Sequence, residues 1–192
     1  MFSFCSSLKD IPGLPATQLA PYCYCCMFSS CTNLTTSPEL PATQLAENCY
    51  DSMFYECSSL TKAPTLPATV LAKECYASMF YYCSSLTEAP ALPAIQLANG
   101  CYSSMFQSCI SLEKAPVLPA KHLAVSCYTQ MFRDCNKMNY IKAMFTEYDN
   151  YMNVANMLVS VYPTGTFVKN KAATWDNAGI VPEGWTVEYA EE

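Results

Sequence analysis

The chain has 192 residues, of which 52% are apolar and 14% charged, and its formal net charge is −6. It is too apolar for a disordered chain and too poor in charge for a coiled coil. No apolar run approaches the ~18–20 residues that span a bilayer, and no Lys/Arg cluster offers the phosphate neutralisation on which nucleic-acid binding depends. Neither membrane insertion of this segment nor a nucleic-acid partner is expected. The start, Met1-Phe2-Ser3-Phe4-Cys5, has no basic residue and no long apolar stretch, so any export leader is expected outside these residues.

Self-similarity dominates the chain. Met-Phe recurs at 1, 27, 53, 79, 105 and 131, a spacing of 26 each time. Across the first five copies, 12 of 26 columns are identical: Met, Phe, Cys, Leu, Pro, Leu, Pro, Ala, Leu, Ala, Cys and Tyr. The sixth copy loses the pattern after Cys135. A fixed period of this length predicts coils that stack on their neighbours.

Within a coil, Leu97, Ala98, Cys101, Tyr102, Met105, Phe106 and Cys109 recur at steps of three and four, with Asn99, Gly100, Ser103, Ser104, Gln107 and Ser108 between them. That spacing predicts a helix over roughly 95–107, opened near Pro93. A short strand is expected over Leu112–Leu118. Every strand carries a proline (Pro12, Pro38, Pro64, Pro90, Pro116), which limits pairing to three or four residues before it. Because paired strands lie ~4.8 Å apart and packed helices ~8–10 Å apart, such an array should curve, with the strands on the concave side.

The phrase Phe54-Tyr55-Glu56-Cys57-Ser58-Ser59-Leu60-Thr61-Lys62-Ala63-Pro64-Thr65-Leu66-Pro67 resembles the leucine-rich repeat of bacterial BspA-type surface proteins, over about residues 1–140. Two departures stand out. The repeat is three residues longer, and alanine or serine mostly replaces the usual strand isoleucine, which only Ile11 keeps. The resemblance implies an exposed, non-enzymatic, adhesive protein. Gly165–Asn170, Ala173–Trp175 and Gly179–Val187 are similar to the closing segment of such repeat proteins from anaerobic gut bacteria and their phages.

The expected fold is therefore α/β: a curved, right-handed leucine-rich-repeat solenoid over 1–135, with one short parallel strand and one helix per coil, and a capping segment over 136–192. In the cap, Met152–Val161 reads as a helix and Gly165–Lys169 and Trp185–Tyr189 as strands, with Phe167, Trp175 and Trp185 covering the final coil, since an open stack needs a cap.

Eleven of the 13 cysteines fall in two columns: 5, 31, 57, 83, 109, 135 and 23, 49, 75, 101, 127. On helices, column neighbours would lie ~8–10 Å apart, beyond the ~7 Å reach of a disulfide. They read as buried thiols acting as small apolar residues. Cys23, Cys25 and Cys26 form a cluster that could hold a metal or a disulfide or simply pack, but zinc needs four ligands and the single histidine, His122, lies nearly four coils away. No metal and no cofactor is expected. So many thiols suit a reducing or anaerobic setting.

The sequence holds no phosphate loop, nucleophile elbow or metal motif, and no enzyme is expected. His122 stands where other copies carry Gln18, Gln44, Val70 and Gln96 and reads as a surface variant. The variable strand columns, Lys9/Asp10, Thr35/Thr36, Thr61/Lys62, Thr87/Glu88 and Glu113/Lys114, are the candidate ligand face; the alternative is a solvated face that resists aggregation. Tyr55, Tyr81 and Tyr82 are a candidate aromatic patch on the convex side, or a shield for the ridge between helices. The reading is a non-catalytic module that binds a host or bacterial surface protein or glycan, extracellular at a bacterial cell surface. The alternative is a structural or receptor-recognition module of a phage or prophage particle.

Overall fold

The structure is a computed structural model that describes residues 2–148 and 151–190. Met1, the first of the Met-Phe positions, lies outside the described residues. The coils stack at the 26-residue period, but none of them contains an α-helix. The sole helical segment among the described residues is a three-residue 3-10 turn, Tyr151–Asn153. This overturns the α/β leucine-rich-repeat solenoid with one helix per coil. The helices expected over 95–107 and over Met152–Val161 are both absent.

In place of the helix runs a wall of linked turns. Along residues 22–31, odd-numbered N–H groups bond back three residues (Cys25 to Tyr22, Met27 to Tyr24, Ser29 to Cys26). Even-numbered N–H groups instead reach the next coil (Tyr24 to Cys49 O, Cys26 to Asp51 O, Phe28 to Met53 O, each 2.9–3.0 Å). A helix would direct every N–H along its own axis; here half of them hold the neighbouring coil.

This alternation requires one left-handed residue in every four. Positive φ occurs at Tyr22, Cys26 and Ser30, then at Asn48, Ser52 and Glu56, then at Glu74, Ser78 and Tyr82, and so on to Asn156 and Ser160. Left-handed backbone disfavours residues with a Cβ by about 1–2 kcal/mol, and short polar side chains tolerate it best. Later coils meet that preference with Ser104, Ser108, Ser126, Asp134 and the glycine Gly100.

The peptides of this wall line up in files parallel to the stack. In one file Phe2 N–H bonds to Met27 O, Phe28 N–H to Met53 O, Phe54 N–H to Met79 O, Phe80 N–H to Met105 O, Phe106 N–H to Met131 O, and Phe132 N–H to Met157 O. Each amide donates forward and accepts from behind, so successive bonds polarise one another.

The opposite wall is a sparse parallel ladder. Single bridges join Thr36 to Lys62, Lys62 to Glu88 and Lys114 to Tyr140. The proline two residues after each of Thr36, Lys62, Glu88 and Lys114 has no N–H to extend the pairing. Among the described residues, regular strands form only where that proline is missing: β1 (Tyr140–Ala143), β2 (Gly165–Asn170) and β3 (Trp185–Ala190), in the order β1-β2-β3. The strands expected at the two ends of the cap are thus present. β1 meets β2 at an offset of 26 residues (Tyr140 with Thr166), and β2 meets β3 at 20 (Gly165 with Trp185). The coil period therefore persists beyond the loss of sequence repeat and then shortens. Gly165 is obligatory here, since a Cβ would sit 2.5 Å from Asn139 O. With no helix wall, the spacing mismatch that would force a horseshoe is absent.

The core is a set of columns. Phe2, Phe28, Phe54, Phe80, Phe106 and Phe132 stack with centroids 5.5–5.9 Å apart. Tyr24, Tyr50, Tyr76, Tyr102 and Tyr128 stack at 5.8–6.1 Å. Leu34, Leu60, Leu86 and Leu112 are buried beside them. The cap buries Phe167, Trp175 and Trp185. The Trp175 indole donates to Phe145 O at 3.0 Å and that of Trp185 to Tyr162 O at 2.8 Å.

Directly hydrogen-bonded coils sit at strand-like rather than helix-like spacing, so the separation expected to keep column cysteines apart does not apply. All 13 cysteines are nevertheless free thiols. In one column each thiol donates to a phenylalanine carbonyl of the preceding coil: Cys57 to Phe28, Cys83 to Phe54 and Cys109 to Phe80, each at 3.1 Å. Burial pushes the thiols of Cys57 and Cys75 up to about 12 and that of Cys49 up to about 11.

Candidate ligand face

The ladder wall places the variable columns in two exposed rows. Lys9, Thr35, Thr61, Thr87 and Glu113 form one, and Asp10, Thr36, Lys62, Glu88 and Lys114 the other; all ten are exposed. The second row carries the ladder bridges, so its side chains succeed one another at the spacing of paired strands. Its signs alternate through Lys62, Glu88 and Lys114, which keeps adjacent like charges apart.

The ladder wall carries two depressions, one at a missing bridge and one beside a bridged pair. Lys62 bridges Glu88, but no such bridge joins Glu88 to Lys114. A depression of about 350 Å³ lies there, lined by Thr87, Glu88, Ala89, Glu113, Lys114 and Pro116 among others. A second, of about 310 Å³, lies between the third and fourth coils. Its rim holds Lys62 and Glu88, and its floor holds Ala63, Pro64, Leu66, Pro67, Pro90 and Pro93. An ammonium and a carboxylate thus flank a small, rigid, mostly apolar floor. Such a surface can hydrogen-bond a polar ligand at its edges while proline rings pack against a sugar face or an aliphatic side chain.

Of the ten strand-face residues, Lys62, Thr87, Glu88, Glu113 and Lys114 line one or both depressions, whereas Lys9, Asp10, Thr35, Thr36 and Thr61 line neither. In the sequence Pro64 and Pro90 mark the limit of pairing and Pro93 the start of an expected helix; none of them points to a binding floor. Their recurrence three residues apart, as Pro64/Pro67 and Pro90/Pro93, was the available signal.

The tyrosine patch lies on the turn wall. Tyr55 and Tyr81 stack at 4.9 Å, and Tyr82 tilts against Tyr81 at 5.7 Å. Tyr82 is exposed and Tyr55 and Tyr81 are half-buried. Desolvation, with Glu56 close by, raises the Tyr55 hydroxyl above its usual range. With no helix wall to force curvature, the three tyrosines form a lateral patch on the stack.

At the first coil, Cys25 and Cys26 bring their sulfurs to 3.5 Å. Burial first, and then Cys26, push the Cys25 thiol up to about 12. Among the described residues no group of three or more His, Cys, Asp or Glu is arranged to hold a metal ion. His122 is exposed and pairs with Glu147 at 3.4 Å.

The chain matches no protein-family model, no curated protein and no solved structure.

Proposed function

We propose that the protein is a non-catalytic binding module that recognises a protein or glycan through the ladder wall. The observation that carries this reading is the proline-floored depression between Lys62 and Glu88. Extended lateral surfaces are where stacked-coil proteins commonly bind. The repeat phrase supports placement at a bacterial surface, on its sequence alone, since the coil is not that of a leucine-rich repeat. The test is a glycan and surface-protein array probed with the wild type and with a Thr61→Lys, Lys62→Glu, Thr87→Lys, Glu88→Lys variant. We expect a ligand that the wild type binds and the variant loses, with thermal unfolding unchanged. A ligand held equally by both places recognition elsewhere, and Tyr55→Ala/Tyr81→Ala is then the next variant.

A further inference from the structure

The turn wall sends its residues inwards and outwards in pairs. Cys49 and Tyr50 are buried, Asp51 and Ser52 half-buried, and Met53 and Phe54 buried again. Both members of an outward pair therefore stand on the same side of the wall, where a strand sends neighbours to opposite faces. Their side chains touch: Ser52 Oγ donates to Asp51 Oδ1 at 2.7 Å. One period earlier the outward pair is Cys25 and Cys26, and their sulfurs lie 3.5 Å apart.

The same two positions are half-buried in the later coils too, as Ala77/Ser78, Ser103/Ser104 and Thr129/Gln130. Access to the two thiols is thus a property of the wall, whichever coil carries them. Burial, then Cys26, and then Asp51 on the next coil keep the Cys25 thiol protonated.

Two adjacent thiols can close on each other or on a third atom. A disulfide is the poorer fit. The Cα atoms it joins usually lie ~4.4–6.8 Å apart, while those of Cys25 and Cys26 are held at ~3.8 Å across a trans peptide. An atom inserted between the sulfurs leaves them further apart than a disulfide does. Zinc needs four ligands, and among the described residues no group of three or more His, Cys, Asp or Glu is arranged to hold a metal ion. A linear two-coordinate ion such as copper(I) sets its sulfurs on opposite sides, beyond the separation seen here. A pyramidal trivalent centre that already carries one carbon substituent takes two sulfurs on one side, at close to a right angle.

We infer that Cys25 and Cys26 form a two-thiol site for a monosubstituted trivalent arsenical, a soft centre matched to soft sulfur ligands. The reaction balances without an oxidant. Two S–H bonds and the As=O bond break, two As–S bonds form, and both protons leave with the oxygen as water. Arsenic stays trivalent and the product is uncharged, so the protonated form in which the wall holds Cys25 is the form consumed. The site lies on the turn wall, apart from the ladder-wall depressions, and does not rest on the function proposed above.

The probe is phenylarsine oxide, added to the full chain carrying Cys5→Ser and Cys23→Ser. This leaves Cys25 and Cys26 as the two thiols that are not buried. Intact-mass spectrometry counts the adduct. We expect one per chain, stable to excess mercaptoethanol and removed by dimercaptopropanol. Adding Cys25→Ser or Cys26→Ser should weaken retention by at least about a hundredfold, the gain that a second, intramolecular bond supplies. Cys25→Ser with Ser78→Cys keeps two half-buried thiols but parts them by two coils, and should behave like the single variants. The inference fails if any of these variants keeps a monothiol-resistant adduct, since a buried pair would then be the site. It also fails if the parent chain forms no such adduct, or if glutathione disulfide closes the pair into a disulfide that the arsenical cannot enter.

Discussion

Replacing Ser78 by glycine should stabilise the protein, which is the opposite of what a helix at this position would give. Ser78 has φ 50, its N–H donates to Ser103 O at 2.8 Å, and its side chain is half-buried. Removing the Cβ relieves a left-handed penalty of about 1–2 kcal/mol. Greater freedom in the unfolded chain returns about 0.4–1 kcal/mol of that gain. The net expectation is about 0.5–1 kcal/mol of added stability. For a chain of this size each kcal/mol corresponds to roughly 2–4 °C in Tm. On a helix the same change would lose about 0.5 kcal/mol or more. Two companions sharpen the sign. Ser78→Val puts a β-branched residue at positive φ and should lose more than about 1 kcal/mol. Ala77→Gly, at a neighbour without positive φ, should lose about 0.5–1 kcal/mol. Urea unfolding followed by tyrosine fluorescence measures all three. A glycine variant at Ser78 that is less stable than wild type would refute the turn-wall account.

Other expectations rest on the core and the ladder. Phe80→Ala, at a ring fully buried between Phe54 and Phe106, should lose about 3–5 kcal/mol, and a loss under ~1 kcal/mol in denaturant titration would contradict the stacked column. Leu71→Ala should lose about 2–5 kcal/mol, because Leu71 is buried between coils. Stability should fall with rising pH from about 9 upwards. The Cys57, Cys75 and Cys127 thiols are raised to about 12 in the fold from an ordinary value of 9.0. Between those values the unfolded thiol has lost its proton and the folded one keeps it, so each contributes a slope of about −1.4 kcal/mol per pH unit. A flat unfolding free energy between pH 8.5 and 10.5, read from urea midpoints, would sink this assignment. Lys62→Glu alone should leave stability within about 0.5 kcal/mol, since the residue is exposed, while abolishing binding of any ligand found for the depression.

The period and the buried columns were legible in the sequence, because identical residues at a fixed interval must occupy equivalent sites. What formed the second wall was not. Cys23, Tyr24, Met27, Phe28 and Cys31 repeat strictly every four residues. On a helix each step of four drifts about 40°, so these five residues still cover an arc of only about 140°, which an amphipathic helix allows. Over so short a run the two periods cannot be separated by hydrophobicity. The signal that could have separated them lay between the apolar pairs. Asn48, Ser52, Ser78, Gly100, Ser104 and Ser126 are residues that tolerate positive φ, where a wet helix face would favour Ala, Glu and Lys. Half of each coil's hydrogen bonding is also supplied by its neighbour, which no single-coil reading can see. The ligand face fared differently. Thr61, Lys62, Thr87 and Glu88 are exposed, as a variable column suggests, but the depression beside Lys62 and Glu88 depends on how the prolines of adjacent coils are set against one another.

The aligned files also give the stack an electrical axis. Strand dipoles in ordinary sheets largely cancel. Here some five parallel files of amides, each about five long, point the same way, about as many units as in a helix of roughly 25 residues at ~3.5 D each. The pole at the first coil is negative and the pole at the cap is positive. Unlike a helix, whose moment resides in one chain segment, this one grows with each coil laid down, so repeat number sets the field as well as the length.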